Sequence, residues 1–173
     1  MKRRNKTKYI VLTGLIAAIY VVITVAFSFM SYEAVQFRIS EIMVLFAFID
    51  PLYIPGLVIG CFIANLYGPF GIVDAIVGST ATFFAVYMIS KCRYWFKDKY
   101  RGLFMASLFP ALSSSIIALQ IYVVGGGSFL YWTIMIGFGE LVVVTLVGFP
   151  LFSYILSKPR WVNLLTISRE PKS

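Results

Sequence analysis

The stretch VQFRISEIMVLFAFIDP, residues 35–51, is an apolar run with charged residues at both ends. Arg38 and Glu41 stand three residues apart near its start, and Asp50 precedes a proline at its end. A charged side chain at the centre of a membrane helix costs about 2.5–3.5 kcal/mol on insertion scales. The helix predicted for 38–50 spans only about 20 Å, less than a ~30 Å hydrocarbon core. We therefore expect its charged start to face protein or water, and Asp50 to end the helix.

The composition of the whole chain is that of an integral membrane protein. Hydrophobic residues make up 60% and charged residues 13% of the 173 residues, whereas a soluble domain is typically about half apolar and a quarter charged. A chain of this length cannot add a soluble domain of ordinary size to a membrane unit. The sequence predicts a single all-α integral membrane domain over residues 1–173.

Six apolar segments are separated by charge, proline or glycine, which predicts a bundle of six transmembrane helices. All Lys and Arg residues except Arg38 fall in three blocks, at 2–8, 91–101 and 158–172. Six crossings place these blocks on one side, so the positive-inside rule predicts cytoplasmic N- and C-termini in a multi-pass protein of a cell membrane. The predicted helices cover 9–30, 38–50, 52–67, 71–90, 103–124 and 129–156.

The residue inventory excludes several function classes. No histidine is present and Cys61 and Cys92 stand alone, which argues against a zinc site, any His-based catalytic pair and a disulfide. We expect no metal or cofactor in this chain and no enzymatic activity. The net charge of +8 is confined to blocks beside apolar segments, a distribution typical of membrane topology signals rather than of a nucleic-acid-binding surface.

The polar residues of the apolar segments lie towards one side of the predicted membrane. Glu140 lies deepest, about 16 Å along its helix from the outer end. A polar cavity open to the outside accounts for all of them together. Taken singly, Asn65 and Asp74 are explained as well by structural roles, such as bridging helices or capping a helix, as by solute binding. The candidate binding residues are Arg38, Glu41, Asn65, Asp74, Gln120 and Glu140, with Tyr32 and Gln36 near the mouth.

The donor and acceptor types of this set indicate a class of solute. Paired carboxylates accept hydrogen bonds from adjacent N–H groups, as on a guanine-like edge or an amine, and amide side chains both donate and accept. A planar cationic or amino-heterocyclic solute therefore suits the site better than a sugar phosphate, which would need several basic groups.

A second signal lies on the first segment, within TGLIAAIY at residues 13–20. Gly14 and Ala18 are four residues apart with Ala17 beside them, which gives a smooth stripe where another helix can approach closely. Packing inside the bundle and a surface for a partner explain the stripe equally well.

Three motifs together resemble the QueT-type substrate-binding subunits of energy-coupling factor (ECF) transporters: VQFRISE, GLVIGCFIANLYGPFGIVDAIVGS and GFGE. The resemblance covers most of residues 9–157. It implies that the chain captures a queuosine precursor, a 7-deazaguanine such as 7-aminomethyl-7-deazaguanine, from outside. It also implies delivery with a transmembrane coupling protein and two ATPase subunits, contacted through the stripe at Gly14 and Ala18, where the family has Ala-x-x-x-Ala. Arg38, Glu41, Asn65, Asp74 and Glu140 would contact the solute.

Two other functions remain open on the sequence. A small secondary transporter would use Asp74 or Glu140 as a proton or cation relay and would need no ATPase. An intramembrane enzyme with paired acids is less well supported, because histidine and a metal-ligand set are both absent. The chain has no G-x-x-x-x-G-K-[ST] loop, in agreement with ATP being used by a partner subunit.

Overall fold

The computed structural model describes residues 3–31 and 35–167, and every regular element in these ranges is helical. Four helices are long and apolar enough to cross a membrane, and two shorter apolar helical segments cover Ile39–Ile49 and Pro51–Asn65. The all-helical membrane class is thus confirmed, while the count of six crossings and the side on which the termini lie stay predictions. Tyr32 falls outside the described residues. The four long spans are Tyr9–Ala26, Ile72–Trp95, Lys99–Gly125 and Phe129–Ser157.

The helices follow the predicted segments closely. Two of the segments are not regular α-helices: the second is largely 3₁₀-helical, and the last has π-helical turns in its middle. A further short helix follows the last segment and was not predicted. The elements are α1 (Arg3–Ala26), α2 (Ser28–Ser31), a 3₁₀ helix (Ile39–Leu45) leading into α3 (Phe46–Ile49), a 3₁₀ turn (Pro51–Tyr53) leading into α4 (Ile54–Asn65), α5 (Ile72–Trp95), α6 (Lys99–Gly125), α7 (Phe129–Glu140), the π-helical turns (Leu141–Gly148), α8 (Phe149–Ser157) and α9 (Pro159–Leu165).

One boundary of the prediction is corrected by a helix cap. The Asp98 side chain accepts a hydrogen bond from the backbone N–H of Tyr100 at 3.0 Å, so α6 begins at Lys99 rather than at 103. Because α5 also continues to Trp95, the basic segment between the two helices is shorter than expected. An aspartate that accepts from the first free N–H groups of a helix is a common N-cap.

Three regions predicted for the same side of the membrane meet at one end of the bundle. Asp50 ends α3 and accepts hydrogen bonds from the backbone N–H groups of Leu52 at 3.0 Å and Ile167 at 2.8 Å. On the neighbouring helices, Lys99 donates to the carbonyl of Leu156 at 3.0 Å. We call this the basic end, formed by residues 49–53, 93–99 and 156–167. Asp50 is therefore a helix-ending residue, as predicted, that also fixes the C-terminal segment.

Helix α1 packs against α4 through a glycine. A Cβ atom added at Gly60 would lie 2.8 Å from Cβ of Tyr20 and 3.0 Å from the carbonyl oxygen of Ala17. Ala17 is thus buried inside the bundle, whereas Gly14 and Ala18 are exposed on the outer face of α1. The predicted stripe of small residues is divided between an internal contact and an external surface.

This packing gives a matched pair of substitutions. Gly60→Ala should lower the stability of the detergent-solubilised protein by about 1–3 kcal/mol, because overpacking a close helix contact forces a backbone shift. Gly14→Ala adds the same methyl group on the same pair of helices, but nothing lies within 4 Å of it. Thermal unfolding of the two variants beside the unmodified protein measures the difference. Equal melting temperatures for both variants would contradict the close α1–α4 contact.

Candidate functional site

Arg38 is buried at the start of the 3₁₀ helix and reaches across to α4. Its Nη2 donates to Oδ1 of Asn65 at 2.9 Å, and only 3% of the residue is exposed. The Asn65 amide donates in turn to Sγ of Cys61 at 3.2 Å. The amide has room because position 78 on α5 is a glycine, where an added Cβ would overlap its nitrogen. The guanidinium is thereby held between the second and third predicted segments.

Glu41 lies one 3₁₀ turn after Arg38 and is bound from the opposite side by α1. The hydroxyl of Tyr20, which is fully buried, donates to Oε1 of Glu41. A second bond joins the same two elements, because the hydroxyls of Thr24 and Ser40 are 2.6 Å apart. No direct ion pair joins Arg38 to any carboxylate among residues 3–31 and 35–167. Arg38 and Glu41 therefore have separate hydrogen-bond partners, on α4 and on α1, and Arg38 precedes the 3₁₀ helix in extended backbone rather than lying on its face.

Glu140 is the last residue of α7 and is 4% exposed. It interacts electrostatically with both Glu41 and Arg38, so the three ionisable side chains form one buried cluster, called the charge cluster below. Its Oε2 is buried and makes no hydrogen bond with any described residue. The π-helical turns begin directly after it, and such turns occur frequently at functional sites. A buried carboxylate oxygen without a donor is costly and needs an explanation.

Asp74 and Gln120 form a second polar pair, which joins α5 to α6. The Gln120 amide donates to Oδ1 of Asp74, and Oδ2 accepts from the backbone N–H of Phe70 at 2.9 Å. Gln120 is buried, and its Oε1 makes no hydrogen bond within the described part of the chain. Asp74 therefore fixes the turn before α5 while it holds the Gln120 amide.

A single cavity of about 30 Å³ connects the two pairs. It has room for about one water molecule, whereas sites for small molecules occupy about 300–1,000 Å³. Glu41 and Glu140 do not line it. The site is therefore closed in this structure, with Arg38 at the boundary between the cavity and the charge cluster. The lining residues are Gln36, Arg38, Asn65, Pro69, Phe70, Asp74, Gly78, Ile117, Gln120 and Ile121.

Comparison with known proteins gives a consistent result. The model of the family described as "QueT transporter" matches residues 10–158. The chain belongs to the QueT transporter family. It is 33% identical over 147 residues to the queuosine precursor transporter QueT of Lactococcus lactis subsp. cremoris (strain MG1363), an alignment that covers 80% of this chain and 86% of that protein. No solved structure matches the chain significantly.

In this QueT family member, most of the residues predicted for the site lie together. Arg38, Asn65, Asp74, Gln120 and Gln36 surround the cavity. The two glutamates lie in the charge cluster that Arg38 joins to it. None of these contacts by itself identifies a ligand, so the assignment of these residues to solute binding stays a prediction.

Sequence reasoning missed Tyr20, Cys61 and Thr82, which support the predicted residues. Cys61 Sγ lies 3.2 Å from the Thr82 hydroxyl and 3.9 Å from Nη2 of Arg38. A tyrosine in an apolar segment is typical of the aromatic belt, so Tyr20 carried no distinctive signal. Its spacing of three residues from Ala17 could have placed it on the buried face of α1.

A double-mutant cycle tests the link between Tyr20 and Glu41. Tyr20→Phe removes only the hydroxyl and should destabilise the QueT fold by about 1–3 kcal/mol, because it leaves a buried carboxylate without its donor. Combined with Glu41→Met, the two effects should be non-additive by about 0.5–3 kcal/mol in thermal unfolding. Tyr20→Phe combined with Asp74→Asn is the control and should be additive. Additive behaviour in both pairs would refute the bond.

Proposed function

We propose that this chain is the substrate-capture subunit of an ATP-driven ECF importer and that its solute is a queuosine precursor. The proposed solute is a 7-deazaguanine such as 7-aminomethyl-7-deazaguanine. Membership of the QueT transporter family supports transport as the general function. The identity of the Lactococcus lactis relative as a queuosine precursor transporter supports the class of solute.

One observation carries the proposal: three buried polar atoms around Arg38 make no hydrogen bond with any described residue. These atoms are Nε of Arg38, Oε1 of Gln120 and Oε2 of Glu140. A guanine-type edge offers an acceptor at O6 beside N–H donors. Arg38 would donate to O6, while Glu140 and Gln120 would accept from N–H groups or from an aminomethyl cation. The hydrogen-bond donors and acceptors of the protein are thus complementary to those of the solute.

Binding of such a solute requires the cavity to enlarge, because its present volume of about 30 Å³ is far below that of a bicyclic molecule. The elements to be displaced are the turn at Phe70 and the Asp74–Gln120 pair, and Arg38 must also move for the solute to reach Glu140, which does not line the cavity. Both contacts are hydrogen bonds of polar groups, which the polar edge of a solute can replace. We therefore propose that the cavity is in a closed form and that it opens at the end opposite the basic end.

The proposed orientation follows from charge. The basic end would lie at the cytoplasmic face, and the cavity would be reached from outside across six membrane crossings. The membrane would be the bacterial cytoplasmic membrane. The coupling protein and two ATPase subunits would use ATP, and this chain itself would need no cofactor and catalyse no reaction.

Glu140→Gln tests the solute assignment. We expect the affinity for 7-aminomethyl-7-deazaguanine to fall about 10- to 100-fold, because a hydrogen bond to a charged group contributes about 1.5–3 kcal/mol. Thermal stabilisation and calorimetry on the purified protein would compare this solute with guanine, thiamin and a simple amine. Asp98→Asn, at the basic end, makes the same chemical change and should leave affinity unaltered. Stabilisation by none of the deazaguanines would reject the solute, and an unchanged affinity of Glu140→Gln would reject the residue.

The outer face of α1 is the proposed surface for the coupling protein. Within the described residues, α1 is the least buried of the four long spans, because only 22% of its residues from Tyr9 to Ala26 are buried. Gly14 has no atom within 4 Å of an added Cβ, and Ala18 lies exposed one turn further on. Without a hydrophobic driving force between helices in lipid, small residues of this kind permit close helix contacts.

Gly14→Leu separates coupling from binding. The leucine would extend into free space, so solute binding by the isolated subunit should be unchanged while uptake by the assembled importer falls severalfold. Thr80→Leu is the matched control, because Thr80 is exposed on α5 and bonds only to Ile76 of its own helix. Loss of both binding and uptake in Gly14→Leu would contradict the surface, as would an equal loss of uptake in Thr80→Leu.

A secondary transporter is the alternative, and the buried Glu140 favours it because intramembrane carboxylates commonly relay protons. Asp74 is the weaker relay candidate, since both of its oxygens accept hydrogen bonds. Proteoliposomes that contain only this chain distinguish the two functions. Uptake driven by a proton or cation gradient without ATPase subunits would replace the ECF proposal.

A further inference from the structure

A second cavity, of about 260 Å³, lies at the basic end. Its polar residues are Arg93, Lys97 and Lys99, and no carboxylate lines it. It is separate from the cavity at Arg38, with which it shares no residue. A pocket with three cationic side chains and no acid among its lining residues is suited to an anion.

Two of the three cations are fixed in place by helix ends. Arg93 donates to the carbonyl of Ile49 at the end of α3, and Lys99 donates to the carbonyl of Leu156 near the end of α8 at 3.0 Å. Each contact uses one donor of a group that has several, since Arg has five N–H donors and Lys has three. Lys97 makes no hydrogen bond, ion pair or cation–π contact with any described residue. All three therefore retain donors for a ligand.

The acids nearest in sequence or at the same end are already engaged. Asp98 caps α6 and lies 3.7 Å from Arg101. Asp50 is buried and accepts from two backbone N–H groups. Neither carboxylate is among the residues that line the cavity.

The remaining walls of the cavity are apolar. Phe48, Phe96, Leu156 and Val162 contribute them, so the cleft combines a cationic rim with a hydrophobic lining. A free inorganic anion would contact only the cationic rim. A phospholipid would contact both the rim and the apolar walls, because its phosphate is anionic and its glycerol ester region continues into acyl chains.

The position of the cleft along the bundle axis corresponds to the height of the lipid headgroups. Tyr94, Trp95 and Trp161 flank it in sequence and are 71%, 58% and 54% exposed. Exposed tyrosine and tryptophan at helix ends are enriched at the height of lipid headgroups. The positive-inside tendency explains why these loops are basic, but it does not require an apolar-walled cavity between Arg93, Lys97 and Lys99.

We infer that this cleft binds an anionic phospholipid, with the headgroup phosphate against Arg93, Lys97 and Lys99 and the first methylene groups against Phe48 and Val162. The volume of about 260 Å³ accommodates the headgroup rather than the whole lipid. The site would anchor the junction between α5 and α6 to the C-terminal segment, since both form its walls.

The test is lipid binding by the full-length purified chain in detergent, measured by native mass spectrometry and by thermal stabilisation with added lipid. Phosphatidylglycerol should be retained and should stabilise the protein. Phosphatidylcholine should bind at least about fivefold more weakly, because one basic residue near a lipid surface contributes an effect of about this size. Lys97→Gln should reduce retention of phosphatidylglycerol about fivefold, and Lys97→Arg should restore it.

Lys91→Gln is the matched control. Lys91 is an exposed lysine in the last turns of α5, before the loop that carries Lys97; its Nζ lies 5.1 Å from the centre of the Tyr87 ring, and it does not line the cleft. The Lys91→Gln variant should bind phosphatidylglycerol as strongly as the unmodified protein does. Equal losses for Lys91→Gln and Lys97→Gln would show diffuse attraction and overturn the site, as would unchanged binding in Lys97→Gln. Displacement of the lipid by millimolar inorganic phosphate would also overturn it, in favour of a soluble anion.

Discussion

Arg38 carries a permanent positive charge into the interior of an apolar bundle, and a buried guanidinium is tolerated only when its charge and donors are compensated. Asn65 supplies an acceptor at 2.9 Å, and the carboxyl groups of Glu41 and Glu140 lie near enough to interact electrostatically with the guanidinium. These partners come from three different stretches of the chain. Arg38 therefore links the 3₁₀ helix, α4 and α7 to one another. Tyr20 extends the same network to α1 through its bond to Glu41.

The two glutamates of this network lie at departures from regular α-helix. Glu41 is inside the 3₁₀ helix and Glu140 directly precedes the π-helical turns. Both departures alter which side chains share a face, because 3₁₀ and π geometry change the number of residues per turn. In lipid, weaker backbone hydrogen bonds of this kind are tolerated where protein surrounds them. Burial of Glu41 and Glu140 at 4% exposure each agrees with that position in the bundle.

Sequence periodicity and charge were sufficient for the coarse architecture but not for the local partners. The apolar runs predict the four long spans and the two shorter apolar helical segments, and Asp50 before a proline predicts a helix end because such a residue rarely continues a helix. The 3₁₀ and π segments carry no distinct hydrophobic pattern and could not be predicted. The spacing of Arg38 and Glu41 predicts a shared helical face, but Arg38 precedes the 3₁₀ helix, and its bond to Asn65 depends on the space left by Gly78. Tyr20 was missed because nothing in its local sequence distinguishes a buried hydroxyl donor from an interfacial aromatic residue.

The two ends of the bundle are held together by different kinds of contact, and this difference bears on how a transporter of this size can open. At the basic end, Asp50, Tyr53 and Lys99 bond to backbone groups of the distant C-terminal segment, so separation would leave main-chain groups unpaired. Around the small cavity, Arg38–Asn65 and Asp74–Gln120 are contacts between side chains. A polar solute can take over such contacts one for one, at little net cost in hydrogen bonds. Under the proposed function, opening is therefore expected around the cavity, with the packing of the apolar core and of the basic end retained.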